Sequence, residues 1–228
     1  MRITLAILAM ILSGMPALRA QAPAPVSLVL NPPAAPGGTP SLVVNNTGTV
    51  TVTAVALSHW LLTTGAPPKS PAVMLLDAAL QPSWQPVLAG QQAAVPFGLA
   101  TDPMRPAPAI IAALFIDGSS WGDASSIKHL VAQRGYALQR LTEAVQDLQQ
   151  ALAQGTSRDA VVSQIQSSLN QSIAAAANAD DRMAVRMARN IGLRNIENAT
   201  APLAQVLGAE IDSLKARLVK LRSYGNLP

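Results

Sequence analysis

Gly118-Ser119-Ser120-Trp121-Gly122 is the stretch that most invites chemistry, because it matches G-x-S-x-G and stands between an apolar run and the start of a helical pattern. A serine on such a strand-to-helix elbow acts as a nucleophile when an acid and then a histidine follow it in the chain. The chain has two histidines, His59 and His129. The first precedes the serine, and the second falls about two turns into the helix that the elbow would begin, too close to swing back as a base. The upstream region also lacks the alternating helices of such a hydrolase. A structural role is therefore expected, with Ser120 or Asp123 capping the helix. A small exported serine hydrolase using Ser120 is the rival reading.

The remaining candidates are thinner. Asp117 and Asp123 with Ser119 between them offer too few oxygens for calcium, which takes about six to eight, and read as turn and cap residues. Arg182, Arg186 and Arg189 share one helical face, where they would meet an anionic partner or simply be solvated, paired with Asp180 and Asp181. They are the one possible interaction face. Arg134 interrupts an otherwise apolar seam, so it is expected to snorkel, to pair with an acid or to set register. Trp60, Trp84 and Trp121 read as core or rim, and the sequons at Asn45, Asn170 and Asn198 as incidental. No catalytic, cofactor-binding or metal-ligating set is assembled.

Export is the expected location. Arg2, the apolar run from Ile3 to Met15 and the segment ending at Ala20 have the layout of a cleaved secretory signal over residues 1–20, although Leu18 is large for its place and a cut after Ala22 would meet Pro23. The absence of cysteine rules out disulfides, thiolate metal sites and a lipidated cysteine. Removing Arg2 and Arg19 leaves fourteen basic against twelve acidic residues, too weak an imbalance to argue for nucleic acid. With 50% apolar but only 3% aromatic residues, the core must be aliphatic. A periplasmic or extracellular protein is expected, and membrane-surface association is not favoured, because the polar helix faces carry few lysines.

Fifteen of the eighteen prolines lie between Pro23 and Pro108, which divides a strand-and-loop region (21–118) from a helical one (119–228). Seven short strands are expected at 26–30, 42–45, 49–59, 73–77, 87–89, 93–97 and 109–117. The clearest hairpin is SLVVNNTGTVTVTAVAL, turning at Asn46-Thr47-Gly48. In its second strand Val50 and Val52 share one face and Val55 and Leu57 the other, which predicts a bulge or a strand covered on both sides.

That stretch resembles the Asn-x-Thr/Ser-Gly hairpins of bacterial immunoglobulin-like domains, over residues 26–118, although the cysteine pair of antibody-type domains and the tryptophan packed on it are missing. The resemblance implies an antiparallel β-sandwich and no activity. FIDGSSWGD leading into a helix also resembles an arrangement of secreted bacterial proteins.

Helices are expected at about 124–154, 158–177, 180–197 and 202–223. In the first, Ile127, Val131, Arg134, Leu138, Leu141, Val145, Leu148 and Leu152 form a heptad seam. The second carries Val162, Ile165, Leu169 and Ile173, and the last Leu203, Leu207, Ile211, Leu214, Leu218 and Leu221. Gly155 followed by Thr156-Ser157-Arg158-Asp159 predicts a stop and restart, so helices one and two should pair as an antiparallel hairpin. The fold expected is segregated α+β: an immunoglobulin-like sandwich followed by a coiled-coil-like helical bundle. The function expected is a non-enzymatic structural or partner-binding role, through a protein partner or a homo-oligomer formed on the helical seams.

Overall fold

A computed structural model describes residues 24–31, 41–60, 70–81, 83–95, 105–225 and 227. The expected signal at 1–20 and the end of the strand expected at 93–97 lie outside them. Seven strands precede four helices: β1 (Val26–Asn31), β2 (Ser41–Asn46), β3 (Val52–His59), β4 (Ala72–Asp77), β5 (Gln92–Ala94), β6 (Ala109–Phe115), β7 (Ser120–Gly122), α1 (Ala124–Gln154), α2 (Arg158–Ala175), α3 (Ala179–Asn198) and α4 (Leu203–Ser223). The strands form two antiparallel sheets, ordered β1-β2-β5 and β4-β3-β6-β7.

The expected β2–β3 hairpin does not form: the two strands belong to different sheets. The Asn46 side chain redirects the chain, accepting from Gly48 N at 3.0 Å and donating to the carbonyls of Val50 and Val87 at 2.9 Å each. Thr47 and Gly48 donate to Pro25 O, so residues 47–51 cross between sheets instead of closing a two-residue turn. The strand expected at 87–89 is reduced to one bridge, Val87 with Val52. The short β7 was not anticipated.

β3 combines both predicted features. Its pairing with β6 shifts register twice, and it is buried on both faces. Val55 and Leu57 join a cluster shared with Val26, Leu42 and Val44 of the other sheet, while Ala54 and Ala56, with Ala112 and Leu114 of β6, meet Leu130 of α1. Alanines at these positions leave room for a helix to lie close on the sheet. The larger cluster continues through all four helices, so the apolar interior does not stop at Gly118.

Caps set the helix ends. Asp123 accepts from Ser126 N, Ser157 from Ala160 N and Asn178 from Asp181 N, and Gly155 ends α1 in the left-handed region at φ 60°. The buried stripe of α1 is Leu130, Arg134, Ala137, Leu141, Ala144, Leu148 and Ala151, with Val145 beside it. The expected seam was rotated toward the larger side chains: Leu152 is exposed and Leu138 only half-buried. The small residues on the true seam admit α3 and α4, which are the main neighbours of α1. Helix α2, whose buried face is only Val161, Ile165 and Leu169, packs on α3 and touches α1 marginally, so the expected α1–α2 hairpin is not the packing unit. The α4 stripe is buried as expected from Leu207 to Leu221, with Leu203 half-buried.

Arg134 is fully buried at 0% exposure beside Asp77 at 2%. Its Nε donates to Asp77 Oδ2 at 2.7 Å and Nη2 donates to Asp77 Oδ1 at 3.2 Å and Thr53 Oγ1 at 2.9 Å. The guanidinium also lies over the Tyr224 ring, 5.4 Å from its centroid. Arg134→Ala leaves Asp77 buried without its partner, and urea unfolding is expected to register a loss of about 3–5 kcal/mol. The double variant Arg134→Met with Asp77→Asn, which leaves no buried charge, is expected to lose less.

Candidate functional site

The outer face of β4, helix α1 and the N-terminal half of α3 enclose a groove of about 250 Å³. Strand alternation brings Val73, Leu75 and Asp77 to it. Helical spacing brings His129, Gln133 and Ala137 from α1, and Asp180, Met183, Ala184 and Met187 from α3. Val73 is 48% exposed and Met183 52%, so apolar surface stands open at its mouth. Asp180 is the polar centre. Its Oδ2 is hydrogen-bonded to His129 Nε2, and its Oδ1 accepts from Gln133 Nε2 at 3.1 Å. A carboxylate in the first turn of α3 is also favoured by the helix dipole.

Leu80, Gln81 and Met187 are shared with a second recess of about 450 Å³, bounded by Glu210 and Arg217 of α4. The two recesses therefore adjoin, with Leu80 and Met187 as the apolar residues between them, His129 and Asp180 beside one and Glu210 and Arg217 beside the other. Arg217 Nη1 donates to Met187 O at 3.2 Å, and burial draws its guanidinium below the ordinary arginine value while Glu210 opposes the shift. Glu210, itself buried, accepts from Asn195 Nδ2 at 3.1 Å.

The candidates from the sequence fall elsewhere. Ser120 is exposed on the three-residue strand β7 and is hydrogen-bonded to neither histidine. His129 faces Asp180. His59 is buried at the end of β3, where desolvation pulls its imidazole below the ordinary value. Of the two glycines in the G-x-S-x-G match, Gly118 lies in the β6–β7 turn and Gly122 ends β7 against Ile111 and Ala112 of β6. Gly118 has φ 87°, and at Gly122, φ 104°, a Cβ would stand 2.1 Å from Ile111 O. Asp117 accepts from Ser119 N and Oγ at 2.9 and 2.6 Å, and Asp123 from Ser126 N and Oγ at 2.7 and 2.8 Å, bonds that hold both carboxyls below the usual carboxylate range. Among the described residues no three acidic or histidine side chains gather as metal ligands.

Arg182 and Arg186 are exposed, but Arg189 turns inward, donating to Asp147 Oδ2 and to Ser168 Oγ at 2.8 Å. The acids expected to pair with this row are engaged by α1 instead: Asp180 by His129 and Gln133, Asp181 by Arg140 through two bonds of 2.7 and 2.8 Å. Trp84 is buried, Trp121 half-buried, and Arg105 lies 4.7 Å from the centroid of the Trp60 ring.

No family model, curated protein or solved structure matches the chain. The sequence does not show the groove, because His129 on α1 and Asp180 on α3 are 51 residues apart and meet only when the helices pack. The row His129, Gln133, Ala137 and the pair Met183, Met187 were its only signals.

Hydrogen bonds from Arg140 hold the Asp181 carboxyl below its ordinary value near 3.8. The stabilisation this provides is complete above that pH and is lost as pH falls from there through the lowered folded value. In urea unfolding at stepped pH, the wild type is expected to exceed Asp181→Asn by a constant margin above about pH 5. That margin is expected to shrink below the ordinary value, since the unfolded chain then takes up the proton first.

Proposed function

We propose that this chain is an exported, non-enzymatic binding protein, in which an immunoglobulin-like sandwich supports a helical layer that takes a partner in the groove between β4, α1, α3 and α4. The observation that carries the reading is the groove itself, with Leu80 and Met187 between its two recesses, exposed Met183 at its mouth and paired polar groups beside each recess. An apolar recess with a few convergent polar groups is the usual form of a binding site.

Burial of the α1 and α4 stripes within one chain supports this groove over the helical seams as the partner-binding surface. The sandwich reading draws support from two antiparallel sheets that share one apolar cluster, and from the chain crossing between them after Asn46. Export rests on the pattern of Arg2 and the apolar run after it. The non-enzymatic part rests on Ser120, whose position on an edge strand gives it no histidine partner. Among the described residues no helix is long and apolar enough to cross a membrane.

An anilinonaphthalene sulfonate probe titrated into the purified chain is expected to bind with enhanced fluorescence. Met183→Glu is expected to weaken it about tenfold by placing a charge where the apolar part of the probe must sit. Binding indifferent to Met183→Glu, or labelling by a serine-directed probe that disappears in Ser120→Ala, would sink the reading.

A further inference from the structure

β4 is an edge strand of its sheet, and its free side borders the groove. The Gln81 side chain marks which backbone groups face outward: Asp77 N donates to Gln81 Oε1 at 3.4 Å, and Gln81 Nε2 donates to Leu75 O at 3.1 Å. A carboxamide thus takes the place that a peptide group of a neighbouring strand would occupy. Alternation then puts the N–H and C=O of Val73 and the N–H of Leu75 on the same outward side, with no partner among the described residues. Donor and acceptor at strand spacing, beside apolar side chains, are complementary to a polypeptide backbone in extended form.

We infer that the open edge of β4 pairs with an extended segment of a partner protein, which adds as a further strand and lays alternate apolar side chains into the groove toward Met183. This rests on the groove being a binding site. The free edge is short, since Gln81 closes it beyond Leu75, so affinity must come jointly from the few backbone bonds and from side chains in the groove. That requirement favours a partner with its own pocket-filling residues over edge-to-edge pairing of two copies of β4. Arg186 stands three residues from Met183 on the exposed side of α3, without a partner of its own among the described residues. It adds a preference for an acidic residue at the matching end of the segment.

The test begins with panning a random peptide library on the purified chain and synthesising the enriched peptides. Peptides with apolar residues at every second position and an acidic residue beside them are expected. Val73→Pro, which removes one outward donor at an edge position where proline fits a strand, is expected to weaken them about tenfold. Backbone N-methylation of the peptide is expected to do the same at alternate residues and to have little effect at those between, and this arm leaves the protein unaltered should Val73→Pro misfold. Failure to enrich any peptide, or enriched peptides indifferent to both Val73→Pro and N-methylation, overturns the inference. So does a dimer in light scattering that Val73→Pro dissolves, since a second copy would then hold the edge. The anilinonaphthalene sulfonate result with Met183→Glu stands apart from these outcomes, so loss of strand pairing and loss of the groove are told apart.

Discussion

A guanidinium held away from water obliges everything around it to stay in place. Arg134 has no exposed surface, and its charge is met by Asp77 at the end of β4, the Thr53 hydroxyl on β3 and the face of Tyr224 just beyond α4. Sliding α1 by one turn over the sheet would strand two opposite charges in an apolar interior, at several kcal/mol each. The alanines under α1 permit a close approach, but they would tolerate several registers; the ion pair selects one. Because β4 and α1 are two walls of the groove, the same pair sets its width.

A second set of bonds distributes the remaining charge as fastenings between helices. Arg140 reaches Asp181 and Arg189 reaches Asp147, which hold α3 against α1 at two points along its length. Arg158 donates to the carbonyls of Ile196, Ala199 and Ala201, closing the C-terminal end of α3 where the helix dipole favours a cation. With so few charged residues in the chain, most of these positions serve architecture, and Arg182 and Arg186 are among those left facing solvent.

Features written in local chemistry were legible beforehand. Gly155 and Asp123 delimit α1 because capping depends on residues within one turn, and the helix begins and ends where they predict. For Arg134 the sequence leaves snorkelling, pairing with an acid and setting register all open, and the acid it does pair with, Asp77, is 57 residues away. The Asn46 turn misled because its side chain is used to change sheets, a choice made by Pro25 and Val87 from elsewhere in the chain. The α1 seam was misjudged because large side chains outweighed alanines in the pattern, while packing of two further helices prefers the alanine stripe. The groove is a product of four separate elements meeting, and no window of sequence contains it.

The end of α4 returns to the turn where the helical half begins. A Cβ on Gly225 would stand 3.0 Å from Gly118 N, and Tyr224 is buried beside Arg134. The helical half is thus closed like a loop fastened at its neck by Tyr224 and Gly225. Partial chains lacking this end would leave Arg134 without its aromatic cover and α1 without one of its main neighbours. Such closure between residues far apart in sequence slows folding.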